Sequence, residues 1–444
     1  MVNPIPSVVG DIAVLAHGVG SRGDLPLPLW PFVWAAVASI VISFVALGAL
    51  WTTPRLAEAA EGRGLGWSKG LLKVLEPAAR VASFLLFLLV LAAGLFGTDA
   101  SGDNINPVTI YVVLWVVLQI LIPIIGNVWR VLDPIDTMAI GLDRLRPEPD
   151  VVAPGWSHWW APVGAGLFLF LELIHPSGDS PRVLGIGMVV YVAVSLAGAW
   201  KWGRGWLRVS ELFAVHFHLL AAMAPIERND ETGKLHLRAP FSGLAAMTIT
   251  PVGTAVLLVV LGGVTFDGLG ESELWRDLIG RHSGWTNAWY RLGGLVVSTA
   301  TLAALYLGSV RSMANITGKD ERTLANVFAP SLVPIVFGYT IAHYLQLAVD
   351  ETQTFVFRLS DPFGQGWDLF GGADARINFD LISVDGIAWV QALSVVIGHI
   401  AGVLVAHDRA VAVFDKRNAL RSQYVMLFVM VLYSVLGLWL LLNA

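Results

Sequence analysis

Cysteine is absent from the 444-residue sequence, and charged residues are scarce. Without cysteine the chain forms no thiolate zinc site, iron–sulfur cluster, cysteine nucleophile or disulfide bond. Charged residues make up 14% of the chain, against roughly 25% in an ordinary soluble domain, whereas 56% of the residues are hydrophobic. This composition excludes a soluble enzyme, a disordered chain and a nucleic-acid-binding protein. It predicts an all-α polytopic helix bundle surrounded by a lipid bilayer.

The familiar nucleotide-binding and catalytic motifs are also missing. The sequence contains no GxxxxGK[ST] loop, no GxGxxG turn that follows a strand, no HExxH helix and no GxSxG turn. ATP-driven transport by this chain alone, zincin proteolysis and serine-hydrolase chemistry therefore have no motif support.

Ten apolar segments are long enough to cross a membrane as helices. Each holds about 20 residues, which at 1.5 Å per residue spans a hydrocarbon core of about 30 Å. The predicted spans are 30–52, 78–97, 108–129, 159–176, 183–202, 243–264, 290–311, 325–350, 386–407 and 424–443. We therefore predict one integral membrane domain over residues 1–444, with about ten transmembrane helices.

An eleventh apolar segment, 206–225, carries Glu211 and His216, and basic residues flank it on both sides. Because basic residues collect on the cytoplasmic side of a membrane, both of its ends are expected there. We predict that residues 206–242 form a cytoplasmic segment that contains a re-entrant or interfacial helix.

The distribution of basic residues predicts the orientation of the chain. With the N-terminus outside, the predicted cytoplasmic segments hold 21 of the 28 Lys and Arg residues. The positive-inside rule then predicts a protein of the cell membrane with both termini extracytoplasmic. The longest outer loop, 351–385, is acidic and rich in Gly and aromatic residues, which is typical of a folded lid rather than a linker.

Ionisable side chains inside apolar spans are costly and therefore mark candidate sites. Glu172 and His175 are one helical turn apart near the outer end of the fourth predicted span, and Glu-x-x-His on a helix is the pair that four-helix di-metal sites use. With His343 they form a candidate site for zinc, copper, iron or manganese, since carboxylate and imidazole suit these ions. The alternative is structural: Glu172 pairs with a buried donor, and His175 lies among the lipid headgroups.

The eighth predicted span carries a polar stripe. Its members Tyr339, His343, Gln346 and Asp350 are spaced 4, 3 and 4 apart, which places them on one face of a helix. Such a stripe is typical of a cavity wall, although a polar seam can also join two helices. We predict that Pro330 and Pro334, below the stripe, kink or break this helix.

Two histidines lie in the ninth predicted span. His399 is near the middle of the span and His407 near its cytoplasmic end. His399 is a candidate deep ligand or proton carrier, or else a core histidine bonded to a backbone carbonyl. His407 is predicted to be an interfacial anchor. Gly398 and Gly402 form a ridge of small residues that allows another helix to approach closely.

Several longer phrases resemble one family over most of the chain. They are NVWRVLDP (127–134), VTFDG (264–268), SDPFGQGWDLFG (360–371) and GHIAGVLVAHDRA (398–410). They are similar to multi-pass bacterial membrane proteins, frequent in actinobacteria, that are labelled fenitrothion hydrolase. The resemblance implies a multi-pass membrane fold and hydrolysis of an organophosphate triester, a man-made substrate whose natural counterpart is unknown.

Two mechanisms are compatible with these residues. In a metal-dependent hydrolase, a metal on Glu172, His175 and His343 activates a water molecule. Asp350 acts there as general base and Tyr339 supports the leaving group, and the apolar substrate arrives from the bilayer. In a proton- or cation-coupled transporter, a ladder crosses the membrane instead; its members are Asp350, His343, Tyr339, His399 and His407.

A third possibility is a haem or copper redox subunit that works with other membrane subunits. It requires paired histidines at matching depth, and only His175 with His343 approaches that arrangement. Elemental analysis and an absorption spectrum distinguish this possibility from the other two.

Overall fold

The computed structural model describes residues 29–145, 152–229, 232–372 and 374–443. It is an all-α bundle, as predicted. The predicted extracytoplasmic N-terminus lies outside the described residues. The longer helices are α1 (Leu29–Leu50), α2 (Ser68–Phe96), α3 (Ile105–Ile125), α4 (Pro134–Asp143), α5 (Trp160–Leu173), α6 (Pro181–Trp202), α7 (Leu212–Ala221), α8 (Pro251–Glu271), α9 (Gly284–Thr317), α10 (Leu332–Arg358), α11 (Val384–Val413) and α12 (Tyr424–Asn443).

Shorter elements connect these helices. Short α-helices are Trp129–Leu132, Leu207–Ser210, Ser242–Ala246, Glu273–Ile279, Glu321–Phe328 and Lys416–Arg421. Single 3₁₀ turns are Glu58–Ala60, Ser101–Asp103, Gly155–Trp159, Arg204–Trp206 and Ala329–Ser331. In α3 the stretch Val108–Val117 is wound as a π-helix. A small antiparallel sheet, in the order β1-β3-β2, consists of β1 (Arg63–Leu65), β2 (Ile226–Arg228) and β3 (Leu235–Leu237).

Nine helices in the described part of the chain are long and apolar enough to cross a membrane. They are α1, α2, α3, α6, α8, α9, α10 with the short helix before it, α11, and α12 with the short helix before it. The chain is therefore a multi-pass membrane protein. The prediction of ten spans differs at the fourth, because α5 is only 14 residues long and follows the 3₁₀ turn Gly155–Trp159.

The two ends of the bundle are distinguished by their connections. At one end lies the three-stranded sheet, whose strand β1 precedes α2 and whose strands β2 and β3 follow α7. We call this the sheet end. At the other end, the 351–385 loop contacts the α2–α3 connection, where the Thr98 amide donates to Phe363 O at 2.9 Å and the Ile105 amide to Pro362 O at 3.2 Å. We call this the loop end.

Helix α7 is buried inside the bundle, with eight of its ten residues inaccessible, so it does not lie on the protein surface. The chain around it begins and ends beside one turn of α2. Arg204 pairs with Asp136, which also binds Arg80 of α2, and Arg228 pairs with Glu76, one turn earlier on α2. Both ends of the segment between Arg204 and Arg228 are thus held near the same part of α2. That it is re-entrant in a membrane stays a prediction.

Helix α10 occupies the centre of the bundle, in contact with α3, α8 and α11. As predicted, Pro330 separates it from the helix before it, through the 3₁₀ turn Ala329–Ser331. Pro334 lies in the first turn of α10 and does not break it, because the amide nitrogens of a first turn need no partner within the helix. The glycine ridge of α11 faces α10: a Cβ atom on Gly398 would lie 2.7 Å from Pro334 O, and one on Gly402 2.9 Å from Ser331 O. This close approach fixes the position of the polar residues on α10.

Candidate functional site

The central feature of the interior is a polar cluster between α8 and α10. Asp267 of α8 is completely buried. Its Oδ2 atom lies 2.7 Å from Nε2 of His343 and accepts a hydrogen bond of 3.1 Å from the Tyr344 hydroxyl. One carboxylate therefore binds two consecutive side chains of α10. Since an unpaired buried charge is costly, this pairing is what makes the carboxylate tolerable in an apolar core.

Glu172 of α5 belongs to the same region. Its side chain is buried and close enough to Asp267 for the two carboxyl groups to repel each other when both are charged. Its Oε2 atom is buried without a hydrogen-bond partner among the described residues. Glu172 and His343 thus both lie beside Asp267, and the three side chains define the Asp267 cluster.

His175 does not share a helix face with Glu172, contrary to the sequence-based expectation. Helix α5 ends at Leu173, because Arg291 binds the Leu173 carbonyl at 2.6 Å and Pro176 disfavours a helical conformation at the residue before it. The ring of His175 is half-buried and packs edge-on against Trp285, with ring centroids 5.3 Å apart. The proposed Glu-x-x-His pair is therefore not formed.

A metal site made of Glu172, His175 and His343 is likewise not assembled. Over the described ranges, no three His, Asp or Glu side chains are close enough together to hold a metal ion. The two carboxylates and the imidazole of the Asp267 cluster are groups that bind metals, but among the described residues these three side chains do not converge closely enough to hold an ion.

A second polar group lies toward the sheet end. His216 of α7 is fully buried, and its Nε2 atom is 2.9 Å from Oε1 of Gln119 on α3. The Gln119 amide nitrogen donates to Trp115 O at 2.5 Å, so Oε1 is the acceptor and Nε2 of His216 carries the proton. Thr340, one turn before His343 on α10, lies 3.4 Å from the same Oε1 atom. Gln119 thus connects α7 with the helix that carries His343.

A third group surrounds His399. Its ring meets Tyr339 edge to face at 5.7 Å between centroids. The Tyr339 hydroxyl donates to the backbone oxygen of Tyr433 at 2.6 Å, which joins α10 to α12. Asp350 lies eleven positions after Tyr339, about 16 Å along the helix axis. Tyr339 and Asp350 therefore do not act on one reacting centre.

Gln346 and Asp350 are half-buried, one and two turns after His343 on α10. In the predicted 351–385 loop, residues up to Arg358 continue α10 and Val384 begins α11, so the connection between the two helices is shorter than predicted. Ser360 organises it by accepting amide hydrogen bonds from Phe370 at 2.9 Å and Gly372 at 3.3 Å. Arg358, at the end of α10, pairs with Asp103 at 2.9 Å. This loop is thus attached to the α2–α3 connection.

His407 holds the end of α1 in place. Its Nδ1 atom accepts a hydrogen bond of 3.2 Å from the Gln423 amide, so Nε2 carries the proton and donates to Trp51 O at 3.1 Å. The neighbouring Asp408 accepts hydrogen bonds from the Trp51 indole at 2.8 Å and the Arg55 amide at 2.8 Å. His407 therefore has a packing role between α1, α11 and α12 and is not the next step of a ladder below His399.

Acidic residues continue the polar interior toward the sheet end. Glu211 caps the start of α7 and accepts a hydrogen bond of 2.5 Å from the Tyr191 hydroxyl. Asp133, which caps α4, is close enough to interact electrostatically with Glu211. Beyond them, burial works to raise the pKa of Asp136, but the hydrogen bonds and charges of Arg204 and Arg80 outweigh it and lower that pKa.

Sequence reasoning did not select Asp267 or Gln119. The predicted sixth span ends at residue 264 and so does not include Asp267, whereas α8 continues to Glu271. Gln119 lies inside the predicted third span, and an isolated amide in that run was the available signal. The sequence identifies Glu211 as a charged residue in an apolar segment. It does not identify the partners Tyr191 and Asp133, which are distant in sequence.

Comparison of the chain with protein-family models, with curated proteins and with solved structures finds no match. The resemblance to proteins labelled fenitrothion hydrolase therefore stays a prediction, and the function has to be argued from the interior geometry.

Proposed function

We propose that this multi-pass membrane protein is a proton-coupled transporter whose proton-binding site is the Asp267 cluster. The observation that carries the proposal is the buried contact of 2.7 Å between Asp267 and His343, with the Glu172 carboxyl group beside it. Ionisable groups that face the interior of a membrane bundle are typical of proton and ion pathways.

The charges of the cluster favour binding of one proton. With Glu172 and Asp267 both ionised and His343 neutral, the apolar interior would hold two negative charges. A proton on His343 or Glu172 lowers that charge by one, and interacting groups of this kind share protons as a unit. A small monovalent cation near the carboxylates would have the same effect, and it is the alternative ligand.

The second polar group extends the proposal toward the sheet end. Thr340 is one turn from His343 on α10, and Gln119 links Thr340 to His216. His216 already uses its Nε2 proton, and its Nδ1 atom is buried without a hydrogen-bond partner in the described structure. The Nδ1 atom is therefore an unused hydrogen-bond acceptor, and we propose it as a relay position between the Asp267 cluster and Glu211.

Triester hydrolysis, which the family resemblance implies, has less support. The metal ligands that it was expected to use do not converge over the described ranges, and Tyr339 is engaged with Tyr433. Without a metal, the Asp267–His343 pair is the available general base, but it is buried between α8 and α10, and Asp267 already accepts a hydrogen bond from the Tyr344 hydroxyl.

The test is proton uptake by proteoliposomes that contain a pH-sensitive dye and are driven by a potassium diffusion potential. We expect the Asp267→Asn and His343→Gln variants to take up protons at least tenfold more slowly than the wild type. Asp380→Asn makes the same chemical change at an exposed residue and should retain the wild-type rate.

Two outcomes would contradict the proposal. One is a wild type that takes up protons no faster than lipid alone at any imposed potential. The other is a correctly folded Asp267→Asn variant with an unchanged rate. Uptake that requires sodium and is independent of pH would favour the cation alternative.

A further inference from the structure

A cavity of about 50 Å³ lies next to His399, between α8, α9, α10, α11 and α12. Aliphatic and methionine side chains form most of its wall. It is partly open, and Leu305 of α9 and Val429 of α12 are the half-buried residues of the wall. Both helices are long and apolar enough to span a membrane, so the opening between them faces the lipid.

The histidine in this wall offers a hydrogen-bond acceptor. The Nδ1 atom of His399 lies 2.9 Å from the backbone oxygen of Val395, and a carbonyl oxygen can only accept. The Nδ1 atom therefore carries the proton of the neutral ring, which leaves a lone pair on Nε2. The Nε2 atom is buried and has no hydrogen-bond partner in the described part of the chain.

The Tyr433 hydroxyl cannot donate to this lone pair. Thr265 donates its only hydroxyl proton to Leu261 O at 2.7 Å, so in its 2.6 Å contact with Tyr433 it must accept. The proton of Tyr433 is therefore used within the protein.

The other hydroxyl groups of the cavity wall also use their protons within the protein. They donate to backbone carbonyl oxygens: Tyr306 to Ala325, Ser309 to Leu305 and Ser331 to Phe328. All polar side chains that line the cavity thus present acceptors, and none of them has a proton left to donate. A ligand that fits this cavity must bring a donor of its own.

We propose that this cavity binds the hydroxyl head of a neutral single-chain alcohol that enters sideways from the lipid, with its O–H donating to Nε2 of His399. The volume is about a third of the roughly 150 Å³ that accommodates a benzene ring. Only the hydroxyl group and the first carbons fit inside, and the rest of the alkyl chain leaves between Leu305 and Val429. An ammonium or metal cation would lose its hydration against a mainly apolar wall, which disfavours it.

The site is separate from the Asp267 cluster, and binding is measured without transport. The purified protein in lipid nanodiscs is irradiated with a diazirine-bearing octanol, and the labelled peptides are identified by mass spectrometry. We expect labelling on α9 and α12 around Leu305 and Val429. Excess 1-octanol should suppress it, whereas 1-methoxyheptane, which has the same number of heavy atoms but no donor, should not.

Two variants connect this labelling to the histidine. His399→Leu removes the acceptor and should reduce the suppressible labelling at least tenfold, whereas His175→Leu makes the same change outside the cavity and should leave it intact. Val429→Phe narrows the opening and should also reduce labelling, which provides a second test if His399→Leu does not fold.

The proposal is overturned if the ether competes as well as the alcohol, or if a folded His399→Leu variant labels like the wild type. It is also overturned if no suppressible labelling occurs on these helices, because the cavity then holds water only.

Discussion

Asp267 and His343 are 76 positions apart in the chain, and their Oδ2 and Nε2 atoms lie 2.7 Å apart in the folded protein. This contact joins α8 to α10 in a region where the other neighbours are mostly apolar. It therefore has an energetic role as well as the proposed role in proton binding, and the two can be measured separately.

Replacing Asp267 alone should cost more stability than replacing the pair. Asp267→Leu leaves the buried His343 and Tyr344 groups without their acceptor, and breaking a buried pair from one side costs about 3–5 kcal/mol. The double variant Asp267→Leu with His343→Leu should recover part of this loss. Heat and denaturant unfolding in mild detergent measure the stability of the single and the double variant. Equal losses for the single and double variants would show that the two side chains are not coupled.

The Gln119–His216 contact should contribute to stability and, under the proposed function, to proton movement. Gln119→Leu leaves the Nε2 proton of His216 without an acceptor, at a cost of about 1–3 kcal/mol. The same variant should slow proton uptake, whereas Gln346→Leu, a matched change at a half-buried position of α10, should not. If Gln119→Leu is destabilised but transports normally, the contact is structural only.

Acid should weaken the attachment of the segment between Arg204 and Arg228 to α2. The pKa of Asp136 is lowered in the folded protein by Arg204 and Arg80, against the effect of burial. Such a group stabilises the fold above its unfolded pKa of about 3.9, and this contribution is lost as the pH falls through the folded pKa. Between pH 5 and pH 3, the unfolding temperature of the wild type should therefore fall more steeply than that of Asp136→Asn. Parallel pH profiles for the two proteins would be inconsistent with this assignment.

The predicted orientation can be tested with single cysteines, since the chain has none of its own. Glu61 precedes β1 at the sheet end and Asp380 lies in the 351–385 loop, and both are exposed. In intact cells, an impermeant maleimide should label Asp380→Cys and not Glu61→Cys, and disruption of the cells should make both reactive. Labelling of Glu61→Cys from outside would reverse the orientation, and labelling of both in intact cells would reject the topology.

Local patterns predicted much of the helical framework. The break at Pro330 and the close approach along Gly398 and Gly402 follow from backbone chemistry that a short stretch of sequence contains. The hydrogen bond of Tyr339 could not be predicted in this way, because its acceptor is 94 positions away on α12. The face of a helix can be read from periodicity, but the helix that packs against that face cannot.

Two wrong predictions at the candidate site have the same cause, which is a wrongly predicted helix end. Extending α5 by two residues placed His175 on the face of Glu172, and ending α8 at residue 264 excluded Asp267. In both cases the limit depends on tertiary contacts, such as the bond from Arg291 to Leu173 O, that hydropathy does not encode. Which residues form the Asp267 cluster could therefore not be predicted, because the deciding residues lie at the ends of the predicted spans.

The attachment of both ends of the segment between Arg204 and Arg228 to one turn of α2 has a mechanical consequence. Glu76 holds Arg228 directly, and Arg80 holds Arg204 through Asp136. A tilt or shift of α2 therefore displaces both ends of the segment together and in the same direction. Helix α7 lies between those ends, so its position in the bundle depends on the position of α2 as well as on its own contacts with Gln119 and Tyr191.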